Sequence, residues 1–88
     1  MPIFVGERYV PQAEPSVALA EAELIRGAVM KVAPSGSPVR LLSTTYVPNE
    51  EWAFDLFDAE SAEQVKQVYA VGGVAVERVT EGVHLRGP

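Results

Sequence analysis

Six segments with regular hydrophobic spacing follow one another along the 88 residues of the chain. Four of them alternate in hydrophobicity, or are rich in β-branched and aromatic residues, as strands are: residues 3–10, 39–47, 51–59 and 77–85. Two repeat their apolar positions about every 3.6 residues, as amphipathic helices do: residues 16–32 and 61–71. The pattern therefore predicts the element order β-α-β-β-α-β.

Turn and cap signals separate these segments. Pro-Ser-Gly-Ser-Pro at residues 34–38 breaks the chain after the first helix, and Pro48-Asn49 forms a short hairpin connection. Ser61-Ala62-Glu63-Gln64 is a capping box at the start of the second helix, and Gly72-Gly73 ends that helix. We therefore expect one α+β domain over residues 1–88, a ferredoxin-like β-α-β-β-α-β sandwich.

The strand positions fall into two sets. The first set is apolar, and we assign it to the side of the sheet that the helices cover: Ile3, Val5, Leu41, Phe54, Leu56, Val79 and Val83. The second set mixes apolar and charged residues: Phe4, Arg8, Arg40, Leu42, Thr44, Tyr46, Asp55, Phe57, Arg78, Thr80 and His84. Such a face is too apolar for water and too charged for a dry core, so we expect a second subunit to cover it and to leave a partly polar cavity.

Composition narrows the function classes. The formal net charge is −5 and the seven basic residues are scattered, which argues against binding of nucleic acid. The chain has no cysteine, which excludes disulfides, iron–sulfur clusters and a cysteine nucleophile. No apolar run is long enough to span a membrane, and residues 1–10 do not have the pattern of a signal peptide. We expect a cytoplasmic homodimer that interacts with neither membranes nor nucleic acid.

Two stretches of the sequence carry a family resemblance. Residues 2–8, Pro-Ile-Phe-Val-Gly-Glu-Arg, are followed by Pro11, and residues 54–65 pass from the third strand into the second helix. With these motifs the chain resembles the small bacterial ferredoxin-like proteins catalogued as a domain of unknown function, whose best-known member binds nickel. The resemblance implies a dimeric α+β barrel. Many members have a cysteine where this chain has Asp55 and a histidine where it has Tyr69, so we expect weak or absent nickel binding.

The candidate ligand-binding residues share the mixed face of the sheet with Phe4 and Phe57: Arg8, Arg40, Tyr46, Asp55 and His84. An apolar floor with a few convergent polar groups is the usual composition of a small-molecule pocket. The alternative is that these side chains pair with one another and bind nothing. His84 and Asp55 are also a candidate acid/base pair, although a terminal histidine is more often a surface residue.

Two function classes follow from this reading. The first is a non-catalytic, dimeric small-molecule or metal-binding protein of unidentified ligand, as the resemblance implies. The second is a cofactor-free enzyme, of the cyclase, isomerase or monooxygenase type, acting on an apolar substrate between two sheets; it rests on analogy of fold alone. In either class we expect no cofactor and, in the residues themselves, no metal site.

Overall fold

A computed structural model describes residues 2–11, 14–33 and 38–85 of the chain. The four strands are β1 (Ile3–Tyr9), β2 (Arg40–Val47), β3 (Trp52–Asp58) and β4 (Arg78–Gly82). The two helices are α1 (Pro15–Val32) and α2 (Ala62–Gly72). The predicted element order is confirmed. The predicted break at residues 34–38 lies, apart from Pro38, outside the described residues.

The four strands form one antiparallel sheet in the order β2-β3-β1-β4. Both helices pack on the same face of this sheet and against each other. The result is a ferredoxin-like α+β fold in two layers, with β1 and β3 at the centre of the sheet. No helix within the described ranges is long and apolar enough to cross a membrane.

Local sequence signals set the helix ends. Pro15 opens α1, where a missing N–H costs nothing. At the start of α2 the backbone N–H of Gln64 donates to the Ser61 hydroxyl over 3.2 Å, as the capping box predicts. The Gln64 side chain accepts from the backbone N–H of Glu60, one residue before the expected cap amide, over 3.0 Å. Gly73 ends α2 in the left-handed conformation at φ 70°.

The sequence-based assignment of β1 and β3 to faces is wrong. Phe4 lies opposite Phe57 in the register, and both are buried beneath the helices, together with Ile25, Val65 and Val68. The apolar set that includes Val5 and Leu56 consequently lies on the other, uncovered face, which we call the open face. The reason is that each central strand places a charged residue in the core, so a count of apolar positions ranks its two faces in the wrong order.

The outer strands behave differently from the central ones. Leu41 and Val79 pack against the core as predicted, whereas Val83 follows the end of β4 and is exposed. A β-bulge between Leu41 and Ser43 inserts one extra residue in β2. Leu41 and Thr44, three positions apart, therefore both pair with residues of the covered face.

Candidate functional site

A buried carboxylate, Asp55 of β3, forms the centre of a polar cluster between the sheet and the helices. Its Oδ2 accepts from Nε of Arg8 at 2.7 Å and from the hydroxyl of Tyr69 at 2.6 Å. Its Oδ1 accepts from the hydroxyl of Thr44 at 2.8 Å and from Nη2 of Arg8 at 3.1 Å. Asp55 is 0% exposed and Arg8 is 1% exposed. Both charges are thus removed from water and neutralise each other across the two central strands.

Arg8 also connects the sheet to α1. Its Nη1 donates to Oε1 of Glu21 at 2.7 Å, and the Glu21 side chain is 36% exposed. Burial by itself would lower the pKa of the Arg8 guanidinium. The hydrogen bond and negative charge of Asp55, with the charge of Glu21, outweigh that effect and raise the pKa of Arg8. The guanidinium is therefore permanently charged and has a carboxylate on either side.

Tyr69 of α2 reaches Asp55 because β1 has a glycine directly beneath it. A Cβ atom built on Gly6 would lie 1.9 Å from the Tyr69 hydroxyl oxygen, so any side chain at this position would collide with the ring. Burial, and then the negative charge and hydrogen bond of Asp55, raise the pKa of the Tyr69 phenol far above its ordinary value. Tyr69 is consequently a fixed hydrogen-bond donor at all physiological pH values.

A small cavity adjoins this cluster, between the first half of α1 and strand β2. It measures about 140 Å³ and is half open to solvent. Its lining consists of four residues of α1 and two of β2: Pro15, Ala18, Leu19, Ala22, Thr44 and Tyr46. The space exists because α1 presents two alanines to the sheet at this level. Thr44 is the residue that joins the cavity to the polar cluster, since its hydroxyl contacts Asp55.

The predicted site residues do not converge. Arg8, Tyr46 and Asp55 lie on the covered face, where the Tyr46 hydroxyl donates to the carbonyl of Val10 at 3.0 Å. Arg40 lies on the opposite face, is 69% exposed and is paired with Asp58. His84 is exposed beyond the end of β4. The prediction of one five-residue cavity is therefore wrong, because the register places Arg40 beside Asp58 rather than beside Asp55.

Three members of the polar cluster were not among the predicted site residues: Thr44, Tyr69 and Glu21. Thr44 was assigned to the same face as Asp55 but was not counted as a candidate ligand-binding residue. The spacing of Tyr69 with Val65 and Val68 in the second helix indicates a buried position, and a buried tyrosine hydroxyl needs a partner. That requirement is a signal that could have linked Tyr69 to a polar core position. Glu21 gave no such signal, because an acidic residue in the first half of a helix is ordinary on sequence grounds.

The open face carries an apolar patch along its two central strands. Val5, Trp52, Phe54 and Leu56 form this patch, and each is only partly buried. Ion pairs flank it, from Arg78 to Glu7 at 2.8 Å on the β4 side and from Arg40 to Asp58 at 2.9 Å on the β2 side. Trp52 also packs against the ring of Tyr9, with ring centroids 5.5 Å apart. An apolar centre with a charged rim is the composition of a protein interface.

Side chains of metal-ligating type do not cluster in the described part of the chain. Within the described ranges no three His, Cys, Asp or Glu side chains lie close enough together to hold a metal ion. The polar cluster contains two carboxylates, Asp55 and Glu21, with the Arg8 guanidinium bonded to both.

Comparison with known proteins supports the fold. No family model matches the chain, and no curated protein matches it. A solved structure that is similar is the crystal structure of SCO4226 from Streptomyces coelicolor A3(2), with a TM-score of 0.78. The two share 14% identity, and the alignment covers 97% of this chain and 99% of that protein. At this identity the likeness shows a common fold, and the family resemblance read from the sequence stays a prediction.

Proposed function

We propose that this chain is a non-catalytic small-molecule-binding protein that works as a homodimer. The observation that carries the binding function is the cavity between α1 and β2. Its walls are mostly apolar, and one of its lining residues, Thr44, donates its hydroxyl proton to the buried Asp55. Apolar walls with a few fixed polar groups are what small-molecule sites share. Because Thr44 is hydrogen-bonded from behind, its orientation is set before a ligand arrives.

The geometry favours binding over catalysis. A general acid or base must lie within hydrogen-bond reach of the substrate atom that it serves. Asp55 is the buried carboxylate nearest the cavity, and both of its oxygens accept hydrogen bonds within the protein, from Arg8, Thr44 and Tyr69. Because both oxygens are occupied by donors of the protein itself, Asp55 has no oxygen left to present to a substrate atom, so we favour the non-catalytic function over the cofactor-free enzyme.

The open face supports the homodimer. Its patch of Val5, Trp52, Phe54 and Leu56 would lose contact with water if a second copy packed against it, which is favourable by about 25 cal/mol per Å² of apolar area. Isologous pairing through one such patch is the commonest form of homo-oligomer.

The oligomeric state tests the dimer. We expect light scattering at micromolar concentration to give twice the monomer mass of 9.5 kDa. Phe54→Glu in the apolar patch should yield a monomer, because a buried interface tolerates an unpaired charge poorly. Ala20→Glu, on the exposed side of α1, is the matched control and should stay dimeric. A wild-type mass of 9.5 kDa under these conditions would contradict the dimer.

The single tryptophan gives a second reading of the same interface. Trp52 lies in the apolar patch, so its fluorescence emission should shift to the red on dilution as the subunits separate. The emission of Phe54→Glu should not change with concentration. A wild-type spectrum that is independent of concentration, together with a monomer mass, would show that no second subunit covers Trp52.

The family resemblance implies nickel binding, and we expect this binding to be weak or absent in the present chain. The chain has one histidine and no cysteine, whereas Ni²⁺ prefers imidazole and thiolate ligands. Calorimetric titration of untagged protein with Ni²⁺ should show weak or absent binding. A submicromolar dissociation constant would show that carboxylates and His84 build a site across a dimer.

The cavity is tested by filling it. Ala22 is buried and lines the cavity, so Ala22→Leu should occupy the space and abolish ligand binding. Ala20→Leu adds the same side chain to the exposed side of α1 and should leave binding intact. A screen of small aromatic compounds by ligand-observed NMR would compare the three proteins. Compounds that bind all three equally would place the ligand site elsewhere.

A further inference from the structure

The hydroxyl groups of the cavity determine what kind of ligand it can take. A threonine hydroxyl has one proton to donate and two lone pairs that accept. The Thr44 hydroxyl lies 2.8 Å from Oδ1 of Asp55, and an ionised carboxylate can only accept. The proton of Thr44 therefore points to Asp55. What Thr44 can offer a ligand is a lone pair.

The second hydroxyl group in the cavity lining, that of Tyr46, also donates its proton within the protein. Tyr46 donates to the carbonyl oxygen of Val10 at 3.0 Å, and a carbonyl oxygen has no proton to give back. Neither hydroxyl of the lining therefore has a proton free for an incoming acceptor. A ligand with only acceptor groups would leave them unpaired against the lining, so it should bind more weakly than a donor of the same shape.

The charge of the cluster behind Thr44 also restricts the ligand. Asp55 and Arg8 neutralise each other, and Arg8 has a second carboxylate in Glu21. Asp55, Arg8 and Glu21 together have a net negative charge, which would repel an anionic ligand. A cationic ligand would have to compete for the two carboxylates with Arg8, which is already bonded to both. An uncharged molecule avoids both costs.

The size of the cavity limits the ligand to one or two rings. An apolar protein cavity of about 150 Å³ holds benzene. The cavity here is of similar volume, about 140 Å³, and its open side leaves room for a second ring. Pro15, Ala18, Leu19 and Ala22 provide the apolar walls.

From these observations we infer that the cavity between α1 and β2 takes a compact, uncharged, largely apolar molecule that donates one hydrogen bond to the Thr44 hydroxyl oxygen. Phenols and indole-like N–H heterocycles have this chemistry. The inference rests on the proposed binding function and adds the class of ligand and the residue that selects it. Thr44 is the specificity-determining residue because it lies in the cavity wall and carries the fixed acceptor.

The test compares two probes of the same shape, indole and benzofuran. Indole has an N–H donor where benzofuran has an ether oxygen, so the pair differs in the one property that the inference concerns. Titration followed by protein-observed NMR should show that both shift the resonances of Ala18 and Ala22. Indole should bind about fivefold more tightly, the effect of one neutral hydrogen bond.

Variants at Thr44 identify the acceptor. Thr44→Val has the same shape without the hydroxyl and should abolish the preference for indole while benzofuran still binds. Thr44→Ser retains the hydroxyl and should retain the preference. Ala22→Leu should abolish binding of both probes, and Ala20→Leu should abolish neither. Circular dichroism checks that each variant is folded, and the wild-type comparison decides the inference even if Thr44→Val does not fold.

The outcomes separate this inference from the proposed function. If wild-type protein binds both probes in the cavity with equal affinity, the donor requirement is wrong and the binding function stands. If benzofuran binds more tightly than indole, the assignment of the Thr44 proton is wrong. If neither probe shifts the resonances of Ala18 and Ala22, the cavity is not a site for this class of ligand, and the inference and its basis both fail.

Discussion

Replacing Asp55 by asparagine should strongly destabilise the protein. The substitution has almost the same shape but removes the negative charge that neutralises Arg8, which is 1% exposed. Arg8 would keep one carboxylate, Glu21, at the partly exposed end of its guanidinium. Leaving a buried charge without its partner typically costs about 3–5 kcal/mol. Because Glu21 remains, we expect the lower end of that range, about 3 kcal/mol.

Urea denaturation measures this cost. With a slope of about 1 kcal/mol per M for a small domain, the midpoint should fall by about 3 M. The melting temperature should fall by more than about 10 °C, since 1 kcal/mol corresponds to about 4–8 °C in a domain of this size. Unfolding can be followed by far-ultraviolet circular dichroism and by Trp52 emission. All proteins should be compared at one concentration, because dimerisation would add to apparent stability.

The same strand offers a matched control. Asp58 also pairs with an arginine, but it lies on the open face and its partner Arg40 is 69% exposed. Asp58→Asn should therefore cost less than about 1 kcal/mol, as exposed ion pairs do. If Asp55→Asn costs no more than Asp58→Asn, the Arg8–Asp55 pair is not removed from water and the account of the polar cluster is wrong.

A double replacement distinguishes loss of the pair from loss of one partner. Buried ion pairs can often be replaced by apolar residues of similar volume with little loss of stability. Arg8→Met combined with Asp55→Leu should therefore be more stable than Asp55→Asn alone. A double variant that is less stable than Asp55→Asn would show that the cluster contributes more through its hydrogen bonds to Thr44 and Tyr69 than it costs in desolvation.

Further predictions concern the contact between Tyr69 and β1. Gly6→Ala should destabilise by several kcal/mol, because its Cβ would lie 1.9 Å from the Tyr69 hydroxyl oxygen. Gly27→Ala, in open space within α1, should stabilise by about 1 kcal/mol, and equal effects of the two in urea titrations would contradict the close contact. The raised pKa of folded Tyr69 means that stability is full below the unfolded pKa of about 10 and falls above it, by about 1.4 kcal/mol per pH unit. Tyr69→Phe should remove that alkaline decline, and a decline of the same slope in this variant would assign it to another group.

The order and type of the helices and strands were predictable, because the spacing of apolar residues that marks each one is a property of its own local sequence. Both helices begin and end within one residue of their predicted bounds. The last strand is shorter than predicted, 78–82 rather than 77–85, for a reason that lies outside its own sequence. In the sheet β4 pairs only with β1, and Gly82 already lies opposite Ile3, the first residue of β1. The strand ends where its neighbour begins, which no local pattern records.

The assignment of faces failed for a different physical reason. Ranking the two sides of a strand by apolar content assumes that charge avoids the core. In β1 and β3 the covered face carries Arg8 and Asp55, and the open face carries Val5 and Phe54. The assumption fails whenever two opposite charges are placed to neutralise each other. Arg8 lies opposite Ala53 in the register and Asp55 opposite Gly6, so the two are diagonal neighbours, and that relation appears only once the strands are paired.

The polar cluster and the cavity are coupled through one proton. The hydrogen bond from Thr44 to Asp55 helps to satisfy a buried carboxylate and at the same time leaves Thr44 as an acceptor in the cavity wall. A substitution at Asp55 would therefore alter stability and ligand selection together, and lost binding in such a variant would not place Asp55 in contact with a ligand. Ala22→Leu separates the two effects, because it changes the wall of the cavity and leaves the hydrogen bonds from Arg8, Thr44 and Tyr69 to Asp55 in place. Thr44→Val also removes one donor from Asp55, so its lost preference for indole is read against Thr44→Ser, which retains the hydroxyl.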